Sequence, residues 1–216
     1  MIHATLAFCA CFVDVVCVLG LFQTFTAFIT GSIVFLFVDL INNRANVPLK
    51  LIVIVGFTLF SLFWHAVMHR LPGGAERHLR ALLLVEALFL VGYMVVARSG
   101  APLPGPLAPV TIAAILLSAG AMSLQTLVTT NILRRNISTT AMTVNSLKML
   151  TGFHDAVFDP GARGAIGEHA GTLLVILAFA LGGFAGALSM TAWGFACLGA
   201  PVAMLVLLAF WVGAPD

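Results

Sequence analysis

Thr26-Ala27-Phe28-Ile29-Thr30-Gly31-Ser32-Ile33 lines up with Thr140-Ala141-Met142-Thr143-Val144-Asn145-Ser146-Leu147, and each octet opens an apolar piece too short to cross a bilayer. The pieces, 30–41 and 139–150, hold about a dozen residues each. At ~1.5 Å per helical residue either reaches about halfway through the hydrocarbon core. Both therefore read as half-helices or re-entrant segments. Upstream, Cys11-Phe12-Val13-Asp14 falls opposite Met122-Ser123-Leu124-Gln125; downstream, Phe57-Thr58-Leu59 falls opposite Phe179-Ala180-Leu181. Each half, about 1–98 and 107–214, is then one long helix, one half-helix and two further long helices.

The long apolar runs are 5 to about 28, 51–68, 81–97, 107–130, 170–190 and 192–213. Each approaches the ~20 residues that a spanning helix needs. Polar, Pro- or Gly-punctuated links at 42–48, 71–74, 99–109 and 152–168 separate them. With 61% hydrophobic and 8% charged residues and a mean hydropathy of +1.12, the chain is not an ordinary soluble domain. It reads as one all-α polytopic membrane domain embedded in a lipid bilayer. A net charge of +2, with no basic cluster larger than Arg134-Arg135, speaks against nucleic acid as a partner. No Lys or Arg precedes the first apolar run, so that run is expected to be a retained helix rather than a cleaved signal.

Charge placement orders the spans. If both short pieces return to the side they left, six helices cross. One face then carries Arg70, Arg77, Arg80, Arg134, Arg135, Lys148 and Arg163, against Arg44, Lys50 and Arg98 on the other. Seven against three puts both termini in the cytoplasm by the positive-inside rule. Eight crossings would split the charges evenly. Three crossings per half is an odd number, so the second half is inverted relative to the first. Inverted repeats around discontinuous helices are a transporter architecture, with the site where the breaks meet.

The motifs also resemble a known family. Phe12-Val13-Asp14, then Phe22 and Thr30-Gly31-Ser32, are similar to the opening of the YoaK-type family of bacterial inner-membrane proteins. Its second signature resembles Met122-Ser123-Leu124-Gln125 with Thr139-Thr140-Ala141-Met142-Thr143. Its Gly-rich penultimate helix and following Pro resemble Gly182-Gly183-Phe184-Ala185-Gly186-Ala187 and Pro201. Cys11, Ser32, Ser123 and Val144-Asn145 depart from that pattern. The resemblance implies a multi-pass protein of the bacterial inner membrane more securely than it implies a substrate.

A half-helix starting inside the membrane leaves its first N–H groups without intrahelical partners and presents a partial positive charge. In lipid, side chains, water or ligand must meet those donors. Thr26, Thr30, Gly31 and Ser32 are expected to line one break; Ser138, Thr139, Thr140, Thr143 and Asn145 the other. Together they suit a small anion or a polar solute. Asp14, an acid at bilayer depth, is expected beside the first break, where it can take up a proton and couple its movement to the solute. Gln125, its counterpart, offers a donor and an acceptor without charge. The plainer alternative is that Asp14 bonds Thr or Gln neighbours and only holds the bundle together, at about 0.6 kcal/mol per contact.

Other residues are weighed the same way. Glu86 snorkels or pairs within the bundle, Asp39 reaches water near the end of its short helix, and Lys148 snorkels. His65 and His69 share a helical face but lack a third ligand, and His154, Asp155 and Asp159 match no calcium loop. No metal site or cofactor is expected. Cys9, Cys11, Cys17 and Cys197 read as reduced, packed thiols. Gly182-x-x-x-Gly186 permits close helix packing, either within the chain or in a homodimer. No Ser–His, His-Glu-x-x-His or paired-aspartate arrangement suggests an enzyme. The expected function is a small-solute transporter, with a channel of the same fold or a non-transporting membrane scaffold as alternatives.

Overall fold

A computed structural model describes residues 1–133, 146–147, 149–152, 154 and 166–212, with the side chains of 166–169 left out. Most of these residues lie in seven helices: α1 (Ile2–Gly20), α2 (Ile29–Asn42), α3 (Val47–Arg70), α4 (Leu79–Ser99), α5 (Pro109–Leu127), α6 (Ile166–Trp193) and α7 (Gly199–Val212); 146–147, 149–152 and 154 are helical as well. Among the described residues there is no strand. Pro48 and Pro109 sit in the first turns of α3 and α5, where a missing N–H costs nothing. A single turn of π-helix, Val128–Ile132, continues α5.

Five helical stretches are long and apolar enough to span a membrane: Ile2–Gly20, Arg44–Arg70, Ala75–Ser99, Pro109–Ile132 and Ala170–Val212. The last contains two helices. Gly194, at φ +55, breaks it into α6 and α7, a left-handed conformation that glycine adopts without penalty. The fold is all-α and polytopic, as composition and run lengths require.

Contacts fix the helix directions. Phe8 meets Gly182 and Phe12 meets Gly186, so α1 and α6 run parallel. Gly56 meets Leu116 and Trp64 bonds Gly120, so α3 and α5 are parallel too. Phe89 faces Gly120 and Gly100 faces Val110, which makes α4 antiparallel to α5. Gln125 reaches Leu6 while Ser118 reaches Cys17, so α5 opposes α1. Arg80 lies over Phe210 and Tyr93 beside Phe195, so α7 opposes α4. Helices α1, α4 and α6 thus point one way, and α3, α5 and α7 the other. Since α1 and α3 are opposed, α2 adds no crossing between them.

The packing joins α1 to α6, α3 to α5, α4 to both α5 and α7, and α1 to α7. At the α1–α6 seam a Cβ on Gly182 would stand 2.2 Å from the Phe8 carbonyl oxygen. The Gly182-x-x-x-Gly186 seam is therefore filled by α1 of the same chain. Leu6, Phe12, Val16, Leu83, Leu90, Ile115, Met122 and Leu124 are wholly buried where the helices meet. Lipid tails are as apolar as these side chains, so dispersion and interhelical hydrogen bonds hold the bundle. Trp64 supplies one such bond, donating Nε1–H to Gly120 O at 3.0 Å. Trp64→Phe is expected to lower stability by about 1 kcal/mol, read as a small drop in Tm in detergent with helicity unchanged.

Candidate functional site: the interrupted entry to α2

Helix α1 ends at Gly20, and the chain then doubles back through Phe22 and Gln23, both with positive φ (52 and 57). Non-glycine residues adopt that conformation only when held there. Lys50, in the first turn of α3 and wholly buried, donates to Phe22 O and to Thr24 Oγ1 at 3.1 Å. Its charge is met by Asp39 Oδ2 at 3.4 Å, near the far end of α2.

From this turn the chain dips inward to the depth of Asp14, six residues or ~9 Å below the end of α1. Thr26 and Ala27 donate their backbone N–H groups to Asp14 Oδ1, each at 2.7 Å. Phe28 N–H donates to Oδ2 at 2.8 Å, and Thr26 Oγ1 approaches Oδ1 at 3.5 Å. Helix α2 starts at the next residue. It ends where Asp39 meets Lys50, beside the turn that closes α1. So α2 begins inside the bundle and leaves on the side where α1 ended: it is re-entrant.

The acid thus holds the three residues that lead into α2, while no side chain caps the first turn of the helix itself. The anion lies against the positive end of the α2 dipole. Ser32 reinforces the dip, donating to Phe25 O at 2.7 Å and accepting from Phe25 N–H at 2.9 Å. Behind Asp14 lies a buried polar cluster drawn from α1, α4 and α5. Thr26 Oγ1 and Ser118 Oγ are 2.8 Å apart. Cys17 Sγ lies 3.3 Å from Ser118 Oγ and donates to Tyr93 OH at 3.4 Å. Both Thr26 and Ser118 are fully buried and Asp14 is 5% exposed, so the site is closed in this conformation. A groove of about 330 Å³ between α3 and α5 is lined by Leu51, Ile52, Val55, Gly56, Leu59 and Leu116, an apolar surface away from this cluster.

Over residues 2–211 the sequence matches a family described as a protein of unknown function (DUF1275). The chain belongs to the DUF1275 family. No curated protein and no solved structure matches it. The DUF1275 match runs from the first residue of α1 to the last turn of α7, so the break and the α1–α6 seam fall inside the family domain. Two stretches that suggested the YoaK-type family, Phe12-Val13-Asp14 and Thr30-Gly31-Ser32, lie on the two sides of this break.

The structure brings together Asp14, Thr26 and Ser32 at the break, and sorts the other expected site residues differently. Thr30 is exposed on the outer face of α2 and does not line the break. Gly31 is buried against the Phe25 and Phe28 rings. Gln125 donates Nε2–H to Leu6 O at 2.8 Å, while its Oε1 is buried with no hydrogen-bond partner among the described residues. Ser138, Thr139, Thr140, Thr143 and Asn145 lie outside the described residues, as do Lys148, Asp155 and Asp159.

Asp39 does not reach water; it is buried and paired with Lys50. Glu86 does not snorkel, being fully buried in α4, and its oxygens have no hydrogen-bond partner among the described residues. The His65 and His69 rings stack edge-on at 4.5 Å, and no group of three metal-ligating side chains occurs among the described residues. All four cysteines are free thiols.

Sequence reasoning missed Lys50, Cys17, Tyr93 and Ser118 as members of this region. Lys50 carried a signal: it directly precedes the apolar run 51–68, and Asp39 sits one turn inside the preceding helix. A buried pair closing the short 43–46 link was therefore available to find. Nothing in the local pattern marks Ser118 or Tyr93, because their partners come from other helices.

Proposed function

We propose that this DUF1275 protein is a small-solute transporter of the bacterial inner membrane, with both termini in the cytoplasm and its solute site at the entry to α2. One observation carries the reading: three backbone N–H groups at bilayer depth are met by a carboxylate lent from α1 rather than by α2's own side chains. Such a donor set is an anion site, and Asp14 is its internal occupant. When Asp14 takes up a proton it loses its charge, the N–H groups are released, and a small anion such as a carboxylate replaces it. Proton and anion then travel together. A polar neutral solute fits the same donors and the hydroxyls of Thr26 and Ser118.

The helix pairing supports an inverted repeat. Exchanging α1 with α5, α3 with α6 and α4 with α7 turns the α1–α6 pair into α5–α3 and the α4–α5 pair into α7–α1. The α4–α7 pair maps onto itself. That symmetry is what rocking of one half against the other around a central site requires. A channel of the same fold would pass solute without a fixed proton ratio. The competing scaffold reading draws on the same bonds, since Asp14 with its oxygens engaged is also a good strut.

Uptake decides between them. In proteoliposomes carrying an imposed pH gradient, the wild type is expected to accumulate formate or acetate. Asp14→Asn is expected to lose the pH-driven component, because an amide accepts with one atom only and cannot titrate. Undiminished pH-driven uptake in Asp14→Asn would remove the coupling role. No flux of any small solute through the folded wild type would favour the scaffold.

A further inference from the structure

Glu86 is unlike the other buried acids. Asp14 has backbone donors and Asp39 has Lys50, but both Glu86 oxygens are buried without a hydrogen-bond partner among the described residues. It sits in α4 with no exposure at all, seven residues or ~10 Å from the start of the helix. An ionised carboxylate with no donor at that depth is strongly disfavoured.

We infer that Glu86 is a second proton site of the bundle, held as a neutral carboxylic acid and placed on the opposite side of Asp14 from the α2 break. Its surroundings argue for a proton and against any other occupant. Cys9 on α1 turns its S–H toward Pro201 O, 4.0 Å away. The α4–α5 register, with Phe89 at Gly120 and Gly92 at Leu117, places Glu86 level with Ser123. Ser123 Oγ–H is already given to Gly120 O at 3.0 Å. Gln125, within a turn of that level, has given Nε2–H to Leu6 O and keeps only an orphan acceptor, Oε1. Donors are spent and acceptors remain, which calls for an occupant that brings its own hydrogen.

A metal ion would need several ligands, and no group of three His, Cys, Asp or Glu side chains that could hold one occurs among the described residues. Among the described residues of the elements packed on α4, no competing charge faces the site. Helices α5 and α7 carry no titratable side chain, and the short turn beside Tyr93 adds only Cys197. On α4 itself, Arg80 is directed over the Phe210 ring and Arg98 lies in the last turn. Glu76, Arg77 and His78 occupy the 3-10 turn before α4, which buries none of its residues.

Tyr93 on α4 is level with Cys17 on the parallel α1, so Glu86, seven residues earlier, is level with Ala10 and lies ~6 Å deeper along α1 than Asp14. The two acids are staggered along the membrane normal. On the transporter reading, on which this part rests, Glu86 first releases its own proton toward the other side, and the carboxylate so formed takes up the proton that leaves Asp14.

Infrared spectroscopy of the protein in lipid tests the site without reference to transport. The wild type is expected to show a deuterium-sensitive carboxylic C=O band at neutral pH that Glu86→Gln lacks. Dicyclohexylcarbodiimide, which enters membranes and attacks protonated carboxyls, is expected to leave an adduct on the Glu86 peptide of the wild type. A band unchanged in Glu86→Gln, or no adduct at Glu86, overturns the proposal. Loss of proton-driven uptake in Glu86→Gln, with solute exchange retained, extends it to coupling. An intact band in a protein that moves no solute refutes the transporter reading while leaving the proton site in place.

Discussion

Asp14→Ala is expected to cost the bundle about 3–9 kcal/mol, from three backbone N–H groups each losing a buried acceptor at ~1–3 kcal/mol. The groups are those of Thr26, Ala27 and Phe28. Lipid offers no replacement acceptor, so the α2 entry must unravel, hydrate or find an anion. Against folding free energies of ~5–15 kcal/mol that loss is large. The expected readouts are a lowered Tm in detergent, fast amide exchange at residues 26–28 and no uptake. Added formate, small enough to stand in for the missing carboxylate, is expected to restore part of the Tm. Rescue by formate but not by an uncharged isostere would identify the break as an anion site. A Tm unaffected by Asp14→Ala would mean that those amides have other acceptors.

Gly182→Ala is the other severe change. Its Cβ would stand 2.2 Å from Phe8 O, a backbone atom that cannot turn aside. Helices α1 and α6 must then separate, losing packing along the whole seam; overpacking costs ~1–3 kcal/mol even in cores that can relax. The neighbouring glycines supply internal controls. Gly186 would bring a Cβ to 2.9 Å from the Phe12 carbonyl oxygen, whereas Gly183 would meet Cys11 Sγ at 2.8 Å, a side-chain atom able to rotate. All three gain helix propensity on going to alanine, by ~1 kcal/mol. The expected order of damage is therefore Gly182, then Gly186, then Gly183, read as yield of monodisperse protein and as Tm. Equal behaviour of Gly182→Ala and Gly183→Ala would rule out the close α1–α6 approach.

Much of the fold is legible because the bilayer simplifies the problem. A spanning segment must be helical, apolar and about 20 residues long, so run lengths locate α3, α4, α5 and α6 directly, whereas the run 192–213 starts in the last residues of α6 and a 3-10 turn, and α7 begins only at Gly199. The shortness of 30–41 against that standard marks α2 as re-entrant, and the opposed directions of α1 and α3 agree. The first run misled by a turn or more: residues 21–28 continue the apolar pattern of α1, yet the helix stops at Gly20. Hydropathy sees no difference between a helix and an apolar loop that is buried in protein.

The site was half legible. Asp14 stood out as a charge at depth, and Thr26 and Ser32 as hydroxyls near the break. The inference that the α2 donors face a ligand missed that Asp14 itself meets them. For Glu86, position along an apolar run does not tell whether the side chain points at lipid, water or protein.

By itself the sequence determined that this chain is a helical membrane bundle interrupted before residue 30, with an acid near the interruption and a glycine seam in its sixth helix. Those properties follow from length, polarity and side-chain volume, which are local. Only the tertiary structure decided that Asp14 binds the three amides leading into α2, that Lys50 closes the turn onto Asp39, that α1 fills the glycine seam, and that Glu86 has no donor among the described residues. Each of those depends on which groups from distant helices meet at one depth, and hydrogen bonds a few ångströms long are set by that meeting alone.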